Sequence, residues 1–235
     1  MRIGAVVQAR MGSARLPGKV LMELAGRPAL DYLLERLAHA ETLAAVIVAT
    51  SREPADDAVA SYCAARSVDC HRGDHDDVAA RLLDAAERFA LDAFVRVNGD
   101  SPLLDQALVD RGVRLFAAGG RDLVTNVFPR SFPPGQSVEV ISVPALREAL
   151  PRLIAAGDRE HVTTGLYRDP GPLAIENFDA GASPFAPDGG EVRLVLDTPE
   201  DAVAIERILE AMERPHWQYS WRTVLALART ATVAR

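Results

Sequence analysis

The stretch "IGAVVQARMGSARLPGKV" (residues 3–20) joins an apolar run to a loop rich in cations and glycine. Residues 3–7 are apolar throughout, which is typical of a strand buried on both faces of a parallel sheet. Arg10, Arg15 and Lys19 follow, and the stretch contains no acid to cancel their charge. A buried strand that runs into such a loop indicates an α/β fold with an anion site at the strand's end.

Strand and helix patterns alternate along the first half of the chain. Strands are predicted at residues 3–7, 44–50, 67–71 and 92–100, and helices at residues 27–40, 54–66 and 77–90. This order predicts a three-layer α/β fold with a mostly parallel, doubly wound sheet and right-handed crossovers. Ligands bind such sheets beyond the carboxyl ends of the strands, where the cationic loop lies.

The second half of the chain has a looser pattern. Proline and glycine clusters surround one predicted strand at residues 137–143 and one predicted helix near residues 160–168. Residues 191–212 then predict a strand followed by a capped helix. We therefore predict a single domain with three parts. These are a nucleotide-binding half (residues 1–121), a small irregular lobe for acceptor binding or dimerisation (122–191), and a return strand with C-terminal helices (192–235).

Composition restricts the class of protein. With 235 residues, 49% of them hydrophobic, the chain has enough apolar material for a buried core. No apolar run approaches the roughly 20 residues of a membrane span, and a net charge of −7 argues against a nucleic-acid-binding surface. Cys63 and Cys70 lack ligand-spaced partners, so we expect core residues rather than a disulfide or zinc site. We expect a soluble, cytoplasmic protein without nucleic-acid or membrane partners.

Two common phosphate-binding motifs do not match the cationic loop. A P-loop needs two glycines five positions apart, then Lys and Ser or Thr, whereas Gly12 and Gly18 are six apart and Val20 follows Lys19. The dinucleotide motif G-x-G-x-x-G does not follow the first predicted strand, and the second ends in "ATSR" (residues 49–52) without an acid. The loop is therefore of another kind, and its uncancelled cations suit a polyphosphate.

An acid follows the fourth predicted strand in "RVNGDSPLLD" (residues 96–105). Asp100 is placed there to hold a hard cation such as Mg²⁺ over a phosphate. A helix cap is the alternative role for this acid, but Ser101 and Pro102 already predict a cap and first turn.

A second acid is left over in "LVLDTPED" (residues 194–201). Thr198, Pro199 and Asp201 are typical of an N-cap, a first helical position and a capping-box acid. Asp197, at the end of the predicted return strand, is not needed for that helix start.

The stretch "VVQARMGSARLPGKVL" (residues 6–21) resembles the signature of the CMP-sugar synthetases. These are the cytidylyltransferases of 3-deoxy-manno-octulosonate and of sialic-type nonulosonates, and the likeness is closer still to relatives named after spore coat polysaccharide biosynthesis. The resemblance covers residues 2–110 and 192–205 well. It implies a nucleotide-diphospho-sugar transferase (GT-A-like) fold and a Mg²⁺-dependent homodimer. The implied reaction transfers CMP from CTP to an acidic sugar, releasing pyrophosphate, for cell-surface polysaccharide biosynthesis.

The resemblance also implies roles on the nucleotide side. The triphosphate of CTP would contact Arg10, Arg15 and Lys19 and the backbone of Ala9 and Gly12, and Arg15 and Lys19 would stabilise the departing pyrophosphate. Asp100 and Asp197 would be the metal ligands, Asn98 a nucleotide contact, and Arg72 and Asp77 contacts to the base or ribose. Val195 stands where some sialic-type enzymes carry a further Asp, so the chain follows the octulosonate pattern there.

On the acceptor side the resemblance implies sugar contacts from Gln136 and Glu139 in "GQSVEV". His161 in "REHVT" either assists deprotonation of the acceptor or packs at a helix start. Trp217 and Trp221 are expected in the core or at a dimer contact.

Three alternative functions remain open. Asp74 and Asp76 form the D-x-D signature of many glycosyltransferases, although acids at that position also cap a helix start. The chain could be a non-catalytic partner that keeps the fold alone, but the retained cations and acids argue against this. A cytidylyltransferase acting on a phosphonate or another small acid is the third alternative.

Overall fold

The computed structural model of the protein describes residues 1–155, 157–181 and 192–233. Its strands are β1 (Ile3–Gln8), β2 (Glu23–Leu24), β3 (Arg27–Pro28), β4 (Val46–Ser51), β5 (Asp69–Gly73), β6 (Ala93–Asn98), β7 (Leu123–Thr125), β8 (Glu139–Ser142) and β9 (Ile175–Asn177). Its α-helices are α1 (Ala29–Ala38), α2 (Asp57–Ala65), α3 (Val78–Arg88), α4 (Gln106–Ala117), α5 (Val143–Ala149), α6 (Val162–Arg168), α7 (Pro199–Glu210) and α8 (Trp221–Val233).

Seven strands form one central sheet in the order β5-β4-β1-β6-β8-β7-β9. The first four strands are parallel to one another, β8 runs antiparallel to both β6 and β7, and β9 is parallel to β7. The chain moves from β1 through β4 to β5 and then returns to the other side of β1 as β6. This confirms the predicted doubly wound, mostly parallel sheet. The predicted strand at 137–143 and helix near 160–168 correspond to β8 and α6.

Both faces of the sheet are buried. Val7 and Val48 pack with α1, α2 and α4, whereas the adjacent Val6 and Ile47 pack with α3 and α5 on the opposite face. This explains why these strands are continuous apolar runs. A third apolar cluster joins α7 and α8 to the hairpin β2-β3 and to Leu194 and its neighbours.

Two predicted elements differ from the structure. Helix α4 begins at Gln106, and its N-cap is Asp105, which accepts from the backbone N–H of Ala107. The predicted cap at Ser101 and first turn at Pro102 are therefore wrong, because the chain makes one more turn before the helix starts. Asp100 is not a helix cap either, which removes the competing explanation for this acid.

The described residues of the predicted return strand, 192–197, do not join the sheet. They are attached through the hydrogen bonds from Leu194 N to Pro134 O (2.9 Å) and from Leu196 N to Asp100 O (2.8 Å). Gly135 permits this approach, since it has a φ of 95° and a Cβ there would lie 2.1 Å from Leu194 O. The apolar run reflects burial against α7 and α8 rather than strand pairing.

The two cysteines and Trp221 are packed in or against the core, as predicted. Cys63 is a free, buried cysteine and Cys70 a free, half-buried one. Trp221 lies in the core, and Trp217 is half-buried and stacks on His39. None of the helices in the described part of the chain is long and apolar enough to cross a membrane.

Candidate active site

A cavity of about 370 Å³ lies beyond the carboxyl ends of β1 and β6. The loop after β1 lines it with Arg10, Arg15 and Lys19, and Asp100 and Asp197 also line it. Residues far apart in the sequence thus face one volume at the edge of the sheet where ligands bind. The structure brings together all the predicted phosphate-binding cations and both predicted metal ligands.

Hydrogen bonds made by the Met11 backbone hold the loop after β1 in place. Met11 O accepts from the N–H groups of Ser13 (3.0 Å) and Gly18 (2.9 Å), and Met11 N donates to Asp56 Oδ1 (2.7 Å). Gly18 has a φ of 74°, in the left-handed region, and leads into a short 3₁₀ helix, Lys19–Leu21. The turn fixes the position of Lys19 at the cavity wall.

The charges that line the cavity are paired with one another. Lys19 Nζ lies 2.6 Å from Asp100 Oδ2 and 3.0 Å from Asp197 Oδ1, and Arg15 Nη2 lies 2.5 Å from Asp197 Oδ2. Arg10 Nη2 pairs with Glu160 Oε1 at 2.8 Å. The Lys19 and Asp197 side chains are only 12% and 10% exposed, so their attraction is screened less than that of a surface pair. Every predicted triphosphate-binding cation already holds an acid.

The two shared acids fit a magnesium site. The Lys19 ammonium bridges the carboxylates of Asp100 and Asp197, so both carboxylates can contact a single cation. Asp100 Oδ1 is buried and has no hydrogen-bond partner. Within the residues described, no group of three or more His, Cys, Asp or Glu side chains is arranged to hold a metal. Two carboxylates completed by substrate phosphates are typical of Mg²⁺ sites.

The helix start beside Asp197 is a capping box, as predicted. Thr198 Oγ1 accepts from Asp201 N, and Asp201 Oδ2 accepts from the backbone N–H groups of Thr198 and Asp197. The capping box therefore also holds the backbone of Asp197, the second predicted metal ligand.

Substituting Thr198 with Ala is expected to lower the free energy of unfolding by about 1 kcal/mol, because it leaves an N-terminal N–H of α7 unpaired. Urea denaturation measures the change. Thr198→Ser retains the hydroxyl and should change stability by less than half as much, and equal losses in both variants would contradict the capping role.

A second cavity, of about 460 Å³, shares Arg96 and Asn98 with the first. Arg96 donates from Nη1 to Glu139 Oε2 (2.7 Å) and from Nε to Gln8 Oε1 (3.2 Å). The Tyr167 hydroxyl donates to Glu139 Oε1 at 2.5 Å. Burial, together with the Glu139 carboxylate, raises the pKa of Tyr167 above its usual range. Glu139 thus lines this cavity with both oxygens already occupied.

Arg96 lines both cavities but was not among the predicted site residues. The available signal was a charged residue inside the apolar strand "AFVRVN", where a side chain needs a polar partner or a ligand. Asn98, the predicted nucleotide contact, lies at the junction of the two cavities, and its Oδ1 is buried without a partner.

The other two predicted acceptor contacts, Gln136 and His161, do not line the second cavity. Gln136 is fully buried and lines neither cavity. Its Nε2 donates to Leu103 O (2.8 Å) and its Oε1 accepts from Asp105 N (2.9 Å), so the structure gives it a role in anchoring the start of α4. His161 is the N-cap residue of α6, makes no capping bond with its side chain, and lines the first cavity.

The predicted base and ribose contacts already have protein partners. Arg72 donates to Ser51 O and Glu53 O and pairs with Asp57, and it lines neither cavity. Asp77 is the N-cap of α3 and pairs with Arg159 at 2.8 Å. Gly12 lines the first cavity, whereas Ala9 lies outside its lining and donates its N–H to Ala49 O. The nucleotide roles of Arg72, Asp77 and Ala9 stay predictions.

The D-x-D sequence is part of a helix start. Asp74 Oδ1 accepts from the backbone N–H groups of Asp76 and Asp77, ahead of α3. The Asp76 side chain is 96% exposed. As expected from the helix-start alternative, these acids do not form a joint cation site like that of Asp100 and Asp197.

Comparison with known proteins gives a consistent assignment. Residues 5–215 match the family model described as cytidylyltransferase. The spore coat polysaccharide biosynthesis protein SpsF of Bacillus subtilis is 30% identical over 217 residues, 89% of this chain and 88% of that protein. The 3-deoxy-manno-octulosonate cytidylyltransferase of Geobacter sulfurreducens is 34% identical over 113 residues, 48% of this chain and 44% of that protein.

A solved structure of a cytidylyltransferase from Leptospira borgpetersenii superposes with a TM-score of 0.90. It is 27% identical and aligns over 99% of this chain and 96% of that chain. The predicted nucleotide-sugar transferase fold is thereby confirmed. Because the family model matches most of the chain, and the Bacillus subtilis and Leptospira borgpetersenii proteins align with 89% and 99% of it, the chain belongs to the cytidylyltransferase family.

Proposed function

We propose that the protein transfers CMP from CTP to an acidic sugar of the octulosonate or nonulosonate type, releasing pyrophosphate, to supply cell-surface polysaccharide biosynthesis. The observation that carries the proposal is the convergence of three cations and two carboxylates on one cavity, which shares Arg96 and Asn98 with a second cavity. The relatives named for spore coat polysaccharide biosynthesis and for octulosonate cytidylyl transfer support the acceptor class. A cytoplasmic location and a homodimer are proposed with it, from family resemblance alone.

Arg10, Arg15 and Lys19 bind the triphosphate in this proposal. Each of them lines the cavity and is held there by an acid. Phosphate oxygens are stronger and more numerous acceptors than a single carboxylate, and exchange of one for the other conserves the charge pairing.

We propose that Asp100 and Asp197 hold Mg²⁺, which their shared position and the unpaired Asp100 Oδ1 support. Bound there, the ion would neutralise charge on the phosphate oxygens and orient them. If that ion displaced Lys19 from the two acids, the Lys19 ammonium would contact the same phosphate oxygens.

The reaction forms a bond from an acceptor hydroxyl oxygen to the α-phosphorus of CTP. The bond from that phosphorus to the oxygen bridging to the β-phosphate breaks, and the hydroxyl proton is released. Arg15 and Lys19 stabilise the charge that develops on the pyrophosphate. Arg96 and Asn98 border both cavities, so they hold the acceptor beside the nucleotide, where proximity contributes much of the rate.

The glycosyltransferase alternative has less support. It requires Asp74 and Asp76 to hold a metal together, but Asp74 Oδ1 is bonded to two backbone N–H groups of the loop. The non-catalytic alternative predicts no Mg²⁺-dependent nucleotide affinity.

A thermal-shift comparison of CTP, UTP, ATP and GTP, each with and without Mg²⁺, tests the nucleotide half. A ligand at 100 times its Kd adds about 2.7 kcal/mol, which for a chain of this size raises the melting temperature by roughly 5–10 °C. We expect the full rise with CTP and Mg²⁺ together and a smaller rise with CTP alone. Equal shifts with all four nucleotides, or none with CTP, would contradict the proposal. Pyrophosphate release in the presence of acidic sugars then tests the acceptor half.

A further inference from the structure

The second cavity contains one cation that lacks an acid partner. Of its three arginines, Arg96 is paired with Glu139 (2.7 Å) and Arg168 with Asp158 (2.7 Å). Arg130 has no carboxylate within ion-pair distance anywhere in residues 1–155, 157–181 and 192–233. Its side-chain hydrogen bond goes to the neutral Ser137 Oγ at 3.2 Å. The lining of the cavity therefore carries one uncompensated positive charge.

The backbone that carries Arg130 is anchored. An antiparallel bridge joins Val127 to Arg130 and closes a tight turn. Phe128 N donates to Asn177 Oδ1 (3.2 Å), and Asn177 Nδ2 donates to Pro129 O (3.3 Å), which ties the turn to the edge strand β9. An arginine on a fixed turn loses less freedom on binding a ligand than one on a free loop.

The surroundings of Arg130 favour anion binding. The residue is exposed, and it lines the cavity. Desolvation by its surroundings lowers the pKa of Arg130 from its ordinary value, while the nearby Glu139 and Tyr167 oppose the shift. A guanidinium without an ion-pair partner can bind a planar acid through two parallel hydrogen bonds.

An aromatic wall stands beside this cation. The rings of Phe128 and Tyr167 stack with centroids 4.7 Å apart and planes 5° from parallel, and Phe128 is 54% exposed. The cavity thus combines an apolar face with a few fixed polar groups, as small-molecule sites do.

We propose that Arg130 is the specificity-determining residue for the acceptor, and that it binds a single carboxylate on it. The inference rests on the proposed function and deepens it. A carboxylate carries one negative charge and two oxygens in the plane that a guanidinium matches. A phosphate or phosphonate dianion would leave one negative charge uncompensated beside Glu139. The acceptor is therefore a carboxylate-bearing sugar rather than a phosphonate or phosphate-bearing acid.

Binding of matched probes to the full-length chain tests the proposal without requiring turnover. The probes are 3-deoxy-manno-octulosonate and N-acetylneuraminate, each with its methyl ester and with the phosphonate analogue that replaces the carboxylate. Isothermal titration is run on the wild type, Arg130→Gln and Arg130→Lys. Arg207→Gln, at an exposed arginine of α7, is the control.

We expect the wild type and the control to bind at least one acid about 10- to 100-fold more tightly than its ester. Arg130→Gln should lose that factor for the acid and no longer distinguish acid from ester, while Arg130→Lys should keep part of the discrimination. The proposal is overturned by equal binding of acid and ester, by a tighter phosphonate, by unchanged binding in Arg130→Gln, or by no acid binding at all.

The same variants separate this inference from the proposed function. Arg130 lies outside the nucleotide cavity, so Arg130→Gln should keep the CTP-selective thermal shift of the wild type. Absence of that shift in the wild type contradicts cytidylyl transfer itself. A normal shift with failed probe discrimination contradicts only the role of Arg130.

Discussion

Replacing Asp100 with Asn is expected to lower turnover by about 10³-fold or more while leaving the fold intact. Asn keeps the size of the side chain but removes the charge that a bound cation and the Lys19 ammonium require. Lys19 Nζ retains Asp197 Oδ1 as a partner, so the variant leaves no unpaired buried cation. Pyrophosphate release, with any acceptor that supports wild-type turnover, measures the loss.

A second readout of this variant does not require an acceptor. If Asp100 holds the metal, the Mg²⁺-dependent part of the CTP thermal shift should disappear in Asp100→Asn, whereas the part due to the cations alone should remain. Asp74→Asn is the matched control, because Asn can still accept the two backbone N–H groups that Asp74 accepts. We expect turnover within about two-fold of wild type there. Near-normal activity in Asp100→Asn, or a large loss in Asp74→Asn, would contradict the assignment of Asp100 and Asp197 as the metal ligands.

Replacing Arg36 with Leu is expected to lower the free energy of unfolding by about 3–5 kcal/mol. Arg36 is fully buried and donates to Leu104 O (2.7 Å), Tyr219 O (2.6 Å) and His216 O. Burial lowers its pKa to about 10, so the guanidinium stays charged at neutral pH. Leu would leave three buried carbonyls without donors, where the chain before α4 meets the chain before α8.

Urea denaturation at constant protein concentration measures this effect. Arg207→Leu, which removes an exposed arginine of α7, is the control and should change stability by no more than about 0.5 kcal/mol. A loss below about 1 kcal/mol in Arg36→Leu would show that water or a neighbouring donor replaces the guanidinium. Because Arg36 lines neither cavity, the folded fraction of the variant should keep its nucleotide selectivity.

The first half of the fold was predictable because its strands are long and buried on both faces. Six-residue strands such as β1, β4 and β6 leave long, mostly apolar runs in the sequence. The strands β7 and β9 have three residues each, and those of the β2-β3 hairpin have two, too few to establish a period. The segment 192–197 has the same apolar composition as a strand, so its pattern does not distinguish packing against helices from pairing in a sheet.

The candidate site was predictable where charged residues follow directly after a predicted strand. Three cations without a local acid, and acids at strand ends, indicate ligands independently of tertiary structure. Gln136 shows the opposite case, since a buried amide that anchors backbone and an amide that binds a sugar look alike in a sequence. Arg130 lies in a proline-rich turn without a periodic pattern, and only the three-dimensional arrangement shows that its neighbours leave its charge unbalanced.

The link from Leu196 N to Asp100 O bears on how this family can diversify. It joins the backbone next to one acid directly to the backbone of the other, and the capping box holds Asp197 from the following helix. The separation of the two acids is thus set locally rather than by the long stretch of chain between them. Insertions or deletions in the chain between the two acids can therefore alter the second cavity without altering the spacing of the acids, which under the proposed function allows acceptor choice to evolve separately from nucleotide chemistry.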